Sequence, residues 1–191
     1  MEVTVDVNIV FSQVKSILRS PKQFFSKCVN EKGWKKAFVF VLIVAAFGHL
    51  ITLLYGILFY PKINTSISES LNIPAASFSA GRFIVLVVAS YFLTLGMSFV
   101  WGVGLKFWLS LFKVKSTFTQ AYRIMTYSRT PNYIFSSLPI ISILAAFYSF
   151  YLLIIGLENE YSLTRKKTIL IVVTAIIPFF IFSLFILSRI S

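Results

Sequence analysis

Apolar positions in this chain come in long unbroken runs separated by short polar stretches. Four runs stand out: Ala37–Tyr60, Phe83–Leu105, Leu138–Gly156 and Ile169–Leu187. A helix of about 20 apolar residues crosses a hydrocarbon layer ~30 Å thick, so each run is long enough to span a membrane. The second run can continue through Lys106 and Trp108 to Phe112, which would tilt it or leave its end in the interface. Strands of a transmembrane barrel alternate apolar and polar residues, and these runs do not alternate. The pattern therefore predicts an all-α, polytopic helical membrane protein with four clear spans.

The residues ahead of the first run are patterned differently. Val7, Val10, Phe11, Val14, Ile17 and Leu18 share one face at helical spacing, and Lys15 and Arg19 fall off it. Ser20-Pro21 reads as a cap followed by a first-turn proline. Phe24, Phe25, Cys28 and Val29 then form a second apolar face, with Lys22 and Lys27 opposite. Two amphipathic helices are expected, lying either in the plane of the interface or as a small cytosolic hairpin packed on the bundle. On this reading residues 1–36 are a cytoplasmic amphipathic region and residues 37–191 a transmembrane domain.

Between the second and third runs lies Ser116–Ser137, which fits neither pattern. Thr117-Phe118-Thr119-Gln120 is a capping box that opens a helix with Phe118, Ala121, Tyr122 and Met125 on one face. The helix carries Arg123 and Arg129 and breaks at Thr130-Pro131, with Pro139 beyond. It either lies along the inner surface, giving four spans, or crosses as an interrupted helix, giving five membrane segments.

Charge weighs between the two. The chain of 191 residues is 58% hydrophobic and only 13% charged, with a formal net charge of +12. Soluble domains carry about 25% charged residues, so a soluble fold and a disordered chain are both excluded. The single cysteine excludes a disulfide scaffold. The cations sit in short runs beside apolar segments, which points to membrane topology and anionic lipid rather than to nucleic acid. Seven lysines and arginines precede the first span, so the N-terminus is expected in the cytoplasm. Five segments then also place Arg165-Lys166-Lys167 inside, whereas four would turn that cluster outward. No cleavable signal is expected, since the first long apolar run begins some 36 residues in.

Candidate chemistry is sparse. All six acids (Glu2, Asp6, Glu31, Glu69, Glu158 and Glu160) fall in predicted tails or loops, which weakens a proton-relay reading. No zinc-binding, nucleophile-elbow or Walker signature occurs, so no catalytic, cofactor-binding or metal-binding residue is expected. Cys28 reads as a packed thiol, and His49, inside the first span, as a helix–helix hydrogen-bonding residue. Gly96, Gly102 and Gly104 suit close helix approach, and Gly156 suits a helix C-terminus. Tyr122, Tyr127, Tyr133, Tyr148 and Tyr151 cluster around the broken segment as an interfacial belt or a polar bundle interior. Arg123 falls near the inner edge, where it can snorkel. Arg129 needs a protein-lined niche, with carbonyls freed by Pro131, tyrosine hydroxyls, water or lipid phosphate as partners. The positions singled out are therefore Arg129, Tyr127, Pro131, Arg123 and His49.

The order of these features resembles the Yip-domain membrane proteins, named for Ypt/Rab-interacting proteins. The likeness runs from Pro21 to the C-terminus: Pro21 with Phe24-Phe25 and Trp34, then AYRIMTYSRTP with Tyr127 and Thr130-Pro131. Pro139, Tyr148, Tyr151, Ile155-Gly156-Leu157 and the Lys166-Lys167 loop follow in order. The resemblance implies a cytoplasmic N-terminus, five spans and a non-enzymatic role in membrane organisation, trafficking or partner recruitment. The Asp-Leu-Tyr-Gly-Pro stretch of Rab-associated members is missing, which argues against small-GTPase binding and for a prokaryotic-type member in the cell membrane. Expected partners are the bilayer, including anionic lipids, and other membrane proteins or further copies of the chain. The alternative is a small transporter or channel subunit with an anion-attracting niche at Arg129.

Overall fold

The computed structural model describes residues 7–71 and 80–175, which are helical with no strand among them. In chain order the helices are α1 (Val7–Arg19), α2 (Pro21–Cys28), α3 (Lys35–Leu71), α4 (Ala80–Leu111), α5 (Phe118–Ser128), α6 (Thr130–Phe135) and α7 (Pro139–Tyr161). A further helical run occupies residues 165–175. Three helices are long and apolar enough to cross a membrane: Lys35–Phe59 within α3, then α4 and α7. Of the expected fourth span, Ile169–Leu187, the part beyond residue 175 lies outside the described residues.

Large apolar side chains cover the outside of these helices. Leu86, Phe92, Leu93 and Phe107 on α4, and Ile140, Leu144 and Phe147 on α7, are each more than 60% exposed. A water-facing monomer rarely shows apolar surface on that scale, whereas hydrocarbon solvates it without cost. The chain is an integral membrane protein.

Helices α3 and α4 run antiparallel. Trp34 meets Phe99 with ring centroids 5.6 Å apart, and the Tyr91 hydroxyl donates to the Leu42 carbonyl at 3.2 Å. The interrupted pair α5–α6 follows α3 in the same direction, Tyr127 packing on Phe40 and the Tyr133 backbone on Gly48. A Cβ at Gly48 would stand 1.7 Å from the Tyr133 carbonyl oxygen, so only glycine lets these two backbones meet. Helix α7 then returns, with Gly156 beside Ile124 of α5 and Phe25 of α2.

That contact corrects the reading of Gly156 as a terminating residue. It lies inside α7, which continues to Tyr161; Ser162 takes the left-handed conformation, with φ of 50°. Among the other singled-out glycines, Gly102 is packed tightly against Tyr122, while a Cβ at Gly96 or Gly104 would meet open space.

The N-terminal helices form where their apolar faces predict, and they join the bundle's own core. Val10, Val14, Ile17, Phe24, Phe25 and Cys28 share one buried cluster with Phe40, Val44, Tyr127, Tyr133 and Leu152. Burying a phenylalanine such as Phe25 contributes about 1.5–3 kcal/mol, so this docking is strongly favoured. The Tyr148 hydroxyl donates at 2.8 Å to the Leu18 carbonyl, one of the unpaired acceptors at the end of α1. A second core joins Leu105 and Leu109 of α4 to Ala121, Ile124, Leu157 and Ile171.

Candidate functional site

The break between α5 and α6 follows from Pro131. Its nitrogen has no proton for the carbonyl four residues back, that of Tyr127. The Thr130 hydroxyl takes that place, donating to the Tyr127 carbonyl at 2.7 Å. Arg129 sits at the joint with φ −85° and ψ 5°, its amide reaching Met125 O at 3.2 Å. Helix α6 restarts with the Tyr133 amide on Arg129 O at 3.0 Å. At the other end of α5 the expected capping box is formed, Gln120 N to Thr117 Oγ1 at 3.3 Å and Thr117 N to Gln120 Oε1 at 3.0 Å.

One face of α5, ahead of this joint, carries a buried polar cluster. Arg123 donates through Nη2 to both carboxylate oxygens of Glu160, at 2.6 and 2.7 Å, and through Nη1 to the Glu31 carbonyl. The Arg123 and Glu160 side chains are 2% and 4% exposed. The Tyr127 hydroxyl donates to Glu31 Oε2 at 2.9 Å, and the Cys28 thiol points at the same oxygen from 4.0 Å. Burial, with the Glu31 carboxylate beside it, pushes the Cys28 thiol well above the ordinary range, so it stays protonated and unreactive. The cluster thus ties the end of α2 and the chain after it to one face of α5 and to the last turn of α7.

Arg123 therefore does not snorkel. It is enclosed, because the loop after α2 folds over it and Glu160 lies within α7 rather than in a loop. Tyr127 is fully buried between Phe24 and Phe40 and presents only its hydroxyl to the cluster. Tyr122 and Tyr133 are also buried, Tyr122 sharing a 3.1 Å hydrogen bond with Ser98, whereas Tyr151 is exposed. His49 bonds Ala45 O at 2.8 Å within its own helix, so it makes no hydrogen bond between helices among the described residues; across to α4 it packs its ring on Tyr91.

Arg129 faces the opposite way. Its guanidinium lies over the Trp101 ring, 4.6 Å from the centroid, and it makes no ion pair among the described residues. Among the described residues neither the Tyr127 carbonyl freed by Pro131, which accepts from the Thr130 hydroxyl, nor a tyrosine hydroxyl makes a hydrogen bond to it. Beside it opens a cleft of about 460 Å³ between α4, α5–α6, α7 and residues 172–175, walled mainly by Trp101, Leu105, Trp108, Phe150 and Leu153.

Sequence reasoning missed Glu31, Glu160, Ser98 and Trp101 as partners. Glu160 carried a usable signal: if the interrupted segment pairs antiparallel with the third apolar run, its first turns face that run's last turn. Among the described residues no group of three or more histidine, cysteine or acidic side chains is placed to hold a metal.

The family model described as the Yip1 domain matches residues 15–187. No curated protein and no solved structure matches the chain.

Proposed function

The chain belongs to the Yip1-domain family, and on that premise we propose that it is a non-catalytic scaffold of the membrane, organising lipid or recruiting membrane-protein partners. The carrying observation is where the buried ionisable groups go. Arg123, Glu160, Glu31, Tyr127 and Cys28 are spent on one another, closing the N-terminal helices onto the bundle. Groups engaged in this way serve architecture, and a chemical step would need at least one of them turned toward a substrate.

The same cluster supports five membrane segments, with α5–α6 as the interrupted one. It gathers the entry to α3, one face of α5 and the end of α7. With the basic residues Lys35 and Lys36 at the entry to α3 and Arg165-Lys166-Lys167 after the end of α7, the positive-inside rule makes this side cytoplasmic. Residues 1–36 then form the cytoplasmic-side region and residues 37–191 the membrane domain, with a core continuous across the boundary.

A second reading, a small transporter or channel subunit, is favoured by the cleft beside Arg129. Flux separates the two. Purified protein in liposomes is expected to leave anion and small-solute efflux at the rate of empty vesicles. Efflux well above that rate, abolished by Arg129→Leu, would establish the transporter instead.

A further inference from the structure

The cleft beside Arg129 combines three features that together specify a ligand. Its wall is almost wholly apolar, contributed by Trp101, Leu105, Trp108, Phe150 and Leu153. Among the described residues its lining contains one charge, the Arg129 cation, and no acidic side chain. It also contains Ser149, which is 6% exposed and whose hydroxyl has no hydrogen-bond partner among the described residues. Buried hydroxyls are nearly always paired, so this one is left for something the chain does not itself supply. The Asn132 side chain lines the same space. At about 460 Å³ the cleft falls within the ~300–1,000 Å³ of small-molecule sites.

We propose that this cleft binds an anionic amphiphile: a carboxylate or phosphate headgroup on Arg129 and the Ser149 hydroxyl, with its hydrocarbon chain along the aromatic and leucine wall. A hydrated inorganic anion would leave that wall in contact with water. A neutral lipid would leave the arginine without a counter-charge in a low-dielectric setting, where an anion is held most strongly. The guanidinium lies over the Trp101 ring, and its planar fork suits a headgroup that accepts two parallel hydrogen bonds. The inference rests on the chain's membrane location and not on the scaffold role, which the flux measurement decides separately.

Two of the chain's three tryptophans, Trp101 and Trp108, line the cleft and make it self-reporting. In the full-length Trp34→Phe variant, held in nanodiscs of zwitterionic lipid, fluorescence would be read against brominated single-chain amphiphiles. The probes are a fatty acid, a lysophosphatidic acid and an uncharged monoacylglycerol. Saturable quenching by an anionic probe, absent with the uncharged one, is expected; which anionic probe acts identifies the headgroup as carboxylate, phosphate or either. Arg129→Gln should weaken that binding about tenfold or more, the loss expected of a charge-assisted contact. Gly104 lines the cleft, and a Cβ there meets nothing within 4 Å, so Gly104→Leu should fill the space with the fold intact. It should abolish saturable quenching without touching Arg129, keeping the test valid should Arg129→Gln fail to fold. Quenching that is linear and equal for charged and uncharged probes would overturn the proposal, as would saturable quenching indifferent to Gly104→Leu.

Discussion

Arg123 shows how much one buried charge depends on its neighbours. Its guanidinium is 2% exposed and is acceptable there only because Glu160 and the Glu31 carbonyl take up its donors, Nε alone being left unpaired. Removing one member of a buried ion pair strands the other, at a cost of about 3–5 kcal/mol, whereas replacing both with apolar residues is often neutral. Glu160→Met should therefore lower the thermal unfolding midpoint in detergent sharply, and the double variant Arg123→Met with Glu160→Met should regain most of the loss. A double variant no better than the single one would mean that the cluster's other bonds, to Glu31, outweigh the pair. Arg129, by contrast, has no acidic partner among the described residues; in the proposed five-segment arrangement it lies at membrane depth, where an arginine costs about 2.5–3.5 kcal/mol on insertion scales. The Trp101 face offsets part of that cost, about 2 kcal/mol for a desolvated cation–π contact.

At the scale of elements, the α5–α6 joint and the α3–α6 contact decide the bundle's middle. Pro131 interrupts the helix, Thr130 repairs the freed carbonyl, and the short α6 is left to be held by packing against Gly48. Overpacking a tight contact costs about 1–3 kcal/mol or more when backbone must move. Gly48→Leu should therefore detach α6, seen as faster amide exchange over residues 130–135 and a lower unfolding midpoint. Gly96→Ala on α4, where the added carbon meets open space, should be neutral or stabilising by about 0.5–1 kcal/mol. Equal effects at the two glycines would show that the α3–α6 contact is not what holds α6.

At the scale of the whole molecule, the proposed five-segment arrangement puts residues 158–167 on the cytoplasmic side. Lys166 is exposed and lies outside the buried cluster, so a cysteine there reports topology without disturbing the Arg123–Glu160 pair. With Cys28 replaced by serine, a Lys166→Cys variant should react with a membrane-impermeant maleimide only after the cells are permeabilised. Labelling of intact cells would exclude a cytoplasmic 158–167 segment and with it the five-segment arrangement. What the sequence determined unaided was local: the membrane class, the helices at the first three apolar runs, the amphipathic pair before them, the capping box and the proline break. Each depends on run length or on residues within one or two turns of each other, which the chain order already contains. The partners of Arg123 lie 37 and 92 positions away, and Gly48 meets Tyr133 only once two helices have taken up one rotation and one offset. Many rotations and offsets would bury the same apolar faces equally well. Only the packed tertiary structure decides which of them sets Glu160 on Arg123 and leaves Arg129 facing an apolar cleft.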